Sequence, residues 1–110
     1  MRVTVLGNNG PYPAAGGACS GYLLEHEGKR ILLDCGNGVL ANLQKVCRWE
    51  ELDGIFLSHL HSDHMSDMMV LRYAVQIKKM RGMFPGNLPL YCPAVPEKEF
   101  ESVSSGNLFD

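Results

Sequence analysis

At 110 residues, with 45% hydrophobic and 20% charged content, the chain has the composition of one soluble globular domain able to bury a modest core. A formal charge of -2 and the lack of any long basic run exclude an electrostatic case for tight binding to nucleic acid or to a membrane surface. No apolar run approaches the roughly 20 residues that a spanning helix needs.

Arg2-Val-Thr-Val-Leu6 alternates and is β-branched, which predicts a strand opening into the loop Gly7-Asn-Asn-Gly-Pro11. That loop runs on through Pro13 and Gly16-Gly17. Its spacing fits neither a dinucleotide fingerprint nor a phosphate-binding P-loop, so turn-forming glycine is the better reading. A loop of this length is also a candidate wall of a site. Cys19 to His26 and Lys29 to Asp34 predict a hairpin closed by the two-residue turn Glu27-Gly28. Ile31-Leu32-Leu33 is continuously apolar, as in a strand covered on both faces, and ends on Asp34. Asp34 reads first as a turn residue bonding nearby amides, and alternatively as an outer partner that orients a ligand histidine.

Asn37 is a candidate N-cap for a helix with Val39, Leu40, Leu43, Val46 and Cys47 on its apolar face. Ile55-Phe56-Leu57 then predicts a short buried strand, parallel to the one before the helix. Ser66 or Asp67 can cap a following helix with Met68, Leu71, Ala74 and Val75 inward, ended by Gly82 and Pro85. Lys78, Lys79 and Arg81 fall at its end, where cations complement the helix dipole, and so read as a solvated helix end and not a phosphate site. The methionines between Met65 and Met83 are assigned as core filler. Leu88 to Cys92 predicts a short strand, and Pro96 starts a helix with Phe100 and Val103 inward. Cys19, Cys35, Cys47 and Cys92 contain no C-x-x-C pair, and no signal-like segment opens the chain. A reduced cytoplasmic protein is the simplest account, with two disulfides or a zinc knot as minor alternatives.

Ser58-His-Leu-His-Ser-Asp-His64 holds three of the four histidines. Side chains two apart in extended chain point the same way, so His59 and His61 can reach one ion together. Asp63 and His64, beyond the bend, face a neighbouring position that permits a second ion roughly 3.5–4 Å from the first. Imidazole nitrogen and carboxylate oxygen suit a borderline divalent ion such as zinc, and Asp63 is also the candidate to take a proton from the attacking water or pass one to the leaving group. The bland alternative has these histidines in an exposed loop, or has His64 opening a helix that Asp63 caps. His26, alone between Glu25 and Glu27, reads as a surface histidine.

The stretch Ser58–His64 resembles the signature of the metallo-β-lactamase superfamily, and Leu32-Leu-Asp-Cys-Gly36 resembles its earlier aspartate motif. With Val3-Thr-Val-Leu-Gly7 and Ser20-Gly-Tyr-Leu-Leu-Glu25, the similarity extends over essentially the whole chain and is greatest to the ribonuclease Z-like branch. The resemblance implies an α/β fold in which residues 1–110 are the N-terminal half of an αββα sandwich. It also implies two divalent ions, zinc or alternatively manganese or iron, with His59 and His61 on the first, Asp63 and His64 on the second, and Asp34 supporting from outside. The family's later ligands, including further histidines, have no counterpart here, because no histidine follows His64. The expectation is therefore a chain inactive alone, which pairs with a C-terminal half or forms a homodimer. The leading function is hydrolysis of phosphodiesters. RNA is a possible substrate without support from charge, and Asp67 stands where ribonuclease Z commonly has glycine. A lactone or thioester hydrolase and a non-catalytic half-domain that binds metal weakly are the alternatives.

Overall fold

The computed structural model describes residues 1–84 and 86–109; Pro85, the expected helix terminator, and Asp110 lie outside them. Strands β1 (Arg2–Gly7), β2 (Gly21–His26), β3 (Lys29–Leu33), β4 (Gly54–Phe56) and β5 (Leu90–Tyr91) form one sheet in sequence order. The first three are antiparallel, and β3, β4 and β5 run parallel. The predicted hairpin closes between His26 and Lys29, with Glu27 and Gly28 both at positive φ, as a two-residue turn of this twist requires. Parallel pairing of β3 and β4 needs a crossover, which supplies α1 (Val39–Leu43) and the 3-10 turn Trp49–Glu51. Helices α2 (Ser62–Met65) and α3 (Met68–Met80) connect β4 to β5, and α4 (Glu97–Ser104) follows.

One sheet face builds the core. Leu23, Leu32 and Ile55 are fully buried with Val39, Leu43, Met68, Leu71 and Val75 from the helices. The opposite face is open. The register places Val3 and Val5 with Leu24 and Tyr22, then Ile31 and Leu33, then Phe56 and Tyr91 on that side. Val3, Val5, Phe56 and Tyr91 are each about half exposed, and Ile31 and Leu33 are only partly covered. This corrects two expectations: neither Ile31-Leu32-Leu33 nor Ile55-Phe56-Leu57 is covered on both faces. The apolar run is continuous because both faces are apolar, and only one has a helical layer over it.

Three further differences are local. Helix α1 ends at Leu43, and Val46 is exposed, because the amides of Val46 and Cys47 both turn back to the Leu43 carbonyl. Its N-cap is Gly38 in the left-handed region, not Asn37. The methionines divide: Met65 and Met68 are core, whereas Met80 and Met83 are exposed. Predicted strand Leu88–Cys92 shortens to Leu90–Tyr91, with Leu88 in a single bridge to Phe109. Helix α4 starts after Pro96 with Val103 buried, as expected. The basic residues ending α3 are engaged: Lys78 lies 3.5 Å from Glu50, and Lys79 donates to the Gly86 carbonyl and the Asn87 side chain. All four cysteines are free, and among the described residues no helix is long and apolar enough to cross a membrane.

Candidate metal centre

Parallel pairing brings the C-terminal ends of β3 and β4 side by side, with Leu33 opposite Phe56. The residues that follow, Asp34 and Ser58, therefore meet although they are 24 positions apart. Asp34 is buried at 5% exposure and adopts φ 63, a conformation that costs a non-glycine residue roughly 1 kcal/mol or more. What holds it there is a set of bonds. Its amide donates to the Phe56 carbonyl at 2.8 Å. Its carboxylate accepts from the Ser58 amide at 2.7 Å, from the Ser58 hydroxyl at 2.9–3.0 Å, and contacts His64 Nδ1 at 2.8 Å. Asp34 thus bonds across the sheet end instead of to amides two or three positions on.

These contacts fix the histidine tautomers. An ionised carboxylate only accepts, so the proton of this contact sits on His64 Nδ1, and in the neutral ring Nε2 is then the nitrogen left to bind an ion. Ser58 gives its one hydroxyl proton to Asp34 and so can only accept from His59 Nδ1, 3.0 Å distant. His59 then also presents a bare Nε2. One buried carboxylate sets both rings, directly for His64 and through Ser58 for His59, the arrangement that makes imidazole a good metal ligand. Ser58 carried no sequence signal of its own beyond opening the histidine stretch.

The remaining donors gather around these two rings. The centroids of His59 and His61 lie 4.8 Å apart, and those of His59 and His64 lie 3.8 Å apart. Asp63 Oδ2 stands 3.4 Å from His64 Nε2. Asp63 and His64 both belong to the single turn α2, with His61 as its N-cap residue. That turn is pinned through its own carbonyls: Asp63 accepts from the Ser20 amide at 3.2 Å and His64 from the Cys35 amide at 2.7 Å. The approach is so close that a Cβ on Gly36 would lie 2.1 Å from the Asp63 carbonyl oxygen. The glycine loop after β1 forms a wall, as a Cβ on Gly10 would stand 2.9 Å from Asp63 Oδ2.

His59, His61, Asp63 and His64 therefore lie together, whereas His26 is exposed at the far hairpin, 3.6 Å from Glu27. The donor chemistry, imidazole nitrogen with a carboxylate 3.4 Å from His64 Nε2, fits a divalent ion of zinc type. Among the described residues no three such side chains form a ready coordination shell. His61 and Asp63 also line an open cleft of about 510 Å³ whose other walls include Pro11, Met65, Pro96 and Glu99. Beneath the site, burial and then the Asp67 and Asp34 carboxylates push the Cys35 thiol far above its ordinary range.

The chain is a mixed sheet backed by helices on one face, with His-x-His-x-Asp-His following a parallel strand beside a buried aspartate. The chain belongs to the metallo-beta-lactamase superfamily, whose pattern matches residues 14–105. It is 38% identical over 104 residues to the probable metallo-hydrolase YhfI of Bacillus subtilis, a match covering 94% of this chain and 43% of that protein. The crystal structure of Bacillus subtilis YhfI superposes with a TM-score of 0.91 at 35% identity, covering 98% of this chain and 44% of the other. Human tRNase Z, short form, superposes at 0.74 with 27% identity, over 98% and 42% of the respective chains. Ribonuclease Z of Halorubrum lacusprofundi is 38% identical over 65 residues, which are 59% of this chain and 21% of that protein. The chain thus spans under half the length of these relatives and corresponds to the N-terminal part of their fold.

Proposed function

We propose that the natural protein carrying these residues is a metal-dependent hydrolase of phosphodiester bonds, with His59, His61, Asp63 and His64 as its metal ligands. The observation that carries this reading is the Asp34 network, which engages Nδ1 of His64 directly and of His59 through Ser58 and so turns each Nε2 to ligation, with Asp63 3.4 Å from that of His64. His59 and His61 hold one ion, and Asp63 and His64 a second. Two divalent ions, zinc in the first instance, supply Lewis acidity and a nucleophile from water at neutral pH. Asp63 takes a proton from the attacking water or returns one to the leaving oxygen. Asp34 and Ser58 keep the rings in the ligating tautomer throughout. The relatives named ribonuclease Z support the phosphodiester class.

A lactone or thioester hydrolase on the same scaffold is the second reading, favoured by Glu99 on the cleft wall and the net charge of -2, both of which oppose a polyanionic substrate. In either case four side chains leave two ions under-coordinated, so activity is expected to need ligands beyond these four. The test is metal content together with hydrolysis of bis(p-nitrophenyl) phosphate, a lactone and a thioester by the natural full-length protein. Full activity after His61→Ala or Asp63→Ala would end the metal reading; a preference for the lactone or thioester would move the substrate class.

A further inference from the structure

Asp67 is 7% exposed, one of two buried carboxylates among the described residues. It is the N-cap residue of α3, yet its side chain caps nothing in that helix. Instead Oδ2 accepts from the amides of Gly38 at 3.0 Å and Leu40 at 2.9 Å, at the start of α1. No cation pairs with it among the described residues, so these two amides carry the compensation for a buried charge. The backbone continues the join: the Asp67 amide donates to the Cys35 carbonyl at 3.0 Å, and the Cys35 amide donates to the His64 carbonyl at 2.7 Å. Four hydrogen bonds thus lace residues 64–67 to residues 35–40, and the Asp34–His64 side-chain contact sits at one end of that seam.

We propose that Asp67 is a positioning residue for His64: its carboxylate clamps the start of α1 so that the left-handed turn at Asp34 delivers its oxygen to His64 Nδ1. Asp34 has no freedom to spare, because its conformation is maintained by its surroundings. Without the clamp, the 35–40 segment is tied to α2 and α3 by two backbone bonds only. The Asp34–His64 bond at 2.8 Å then lengthens or exchanges, and His64 samples the tautomer that occupies Nε2 with a proton. The inference rests on His64 being a metal ligand, but its first readout needs no metal.

The experiment uses the natural full-length protein as wild type, Asp67→Ala, Asp67→Asn and the core control Val103→Ala, since Val103 is fully buried and takes no part in the bonds that join residues 64–67 to residues 35–40. Nitrogen-15 NMR of the metal-free protein reads the His64 tautomer, chelator competition reads zinc affinity, and thermal melting reads stability. Asp67→Ala is expected to lose or broaden the His64 Nδ1–H resonance and to weaken zinc about tenfold, the lower end for loss of an outer-shell partner. Asp67→Asn keeps the acceptor oxygen without the charge and is expected to weaken zinc about threefold, with a resonance still visible but broadened. Val103→Ala should lower the melting temperature and leave both site readouts unchanged. The proposal is overturned if Asp67→Ala changes the site no more than Val103→Ala does, or, should the alanine variant not fold, if Asp67→Asn matches wild type in both readouts. A wild-type protein that binds no zinc would instead refute the metal reading, while the His64 resonance would still decide the role of Asp67.

Discussion

Replacing Asp34 separates its two contributions, bonding and backbone. Asp34→Ala removes the acceptor for the Ser58 amide, the Ser58 hydroxyl and His64 Nδ1. At a net contribution of about 1 kcal/mol for each hydrogen bond lost, the loss is about 3 kcal/mol. Alanine must also adopt φ 63, adding about 1 kcal/mol. Asp34→Gly loses the same bonds but is at ease in that conformation, so it should be about 1 kcal/mol more stable than Asp34→Ala. Asp34→Asn behaves differently again. With its oxygen on the Ser58 amide, its NH2 faces His64 Nδ1 and forces that nitrogen to accept, which moves the proton onto Nε2. The asparagine variant should therefore fold well and lose zinc affinity by about 10–100-fold. Urea denaturation and chelator competition on the natural full-length protein measure both quantities. Equal stabilities for the alanine and glycine variants would refute the backbone argument, and an asparagine variant binding zinc as tightly as wild type would refute the tautomer argument.

Three other outcomes follow from single contacts. The Cys35 thiol, raised by burial first and by Asp67 and Asp34 next, stays protonated in the folded chain at pH values where the unfolded thiol ionises. The unfolded state then binds fewer protons, so stability should fall as pH rises above the ordinary thiol value of 9.0, by at most about 1.4 kcal/mol per pH unit from this group. Denaturation from pH 8 to 10.5 should show that slope, and Cys35→Ala should flatten it. Gly36→Ala places a Cβ 2.1 Å from the Asp63 carbonyl oxygen and 2.7 Å from the Cys19 Cβ, and backbone must move to admit it. A loss above about 3 kcal/mol is expected, and a melting temperature within a degree of wild type would contradict the close approach. Glu99→Lys reverses the charge on the wall of the cleft that Asp63 also lines. It should lower KM for an anionic phosphodiester several-fold and leave a neutral thioester unaffected, an effect that must shrink at high salt.

The readable parts of this fold are those set by neighbours in sequence. Glu27-Gly28 dictates its hairpin, the alternation in Arg2–Leu6 dictates an outer strand, and Pro96 sets the start of α4. The clustering of His59, His61, Asp63 and His64 was legible for the same reason, because four donors within six residues need only one turn to gather them. What stayed hidden depends on distant partners. Asp34 meets Ser58 across 24 positions and Asp67 meets Leu40 across 27. Asp67 offered only a capping role in the sequence and spends its carboxylate elsewhere; Asp34 offered a turn role and, as the alternative, an outer partner for a ligand histidine, and its contact with His64 Nδ1 fits that alternative. The start of helix α1 was misplaced for a related reason: its first amides are bonded by Asp67, the residue before α3, so the local capping signal at Asn37 was misleading.

The open sheet face and the candidate metal-ligand cluster are physically linked through the same strands. Phe56 and Tyr91 end the parallel strands on the uncovered side, and the residues directly after Phe56 carry Leu57 into the core and Ser58 to Asp34. Val3, Val5, Phe56 and Tyr91 are each about half exposed. Covering them recovers about half of the roughly 1.5–3 kcal/mol that full burial of such a side chain supplies, or about 4 kcal/mol in all. That is a large share of the 5–15 kcal/mol by which a domain is ordinarily stable. Strands left bare on one side open locally more often than strands covered on both, and here local opening of β4 would release Ser58 and with it the tautomer of His59. Cover on this face should therefore tighten the candidate metal ligands without touching them, so zinc affinity and burial of Val5 and Phe56 should rise together in any longer chain or assembly that covers it.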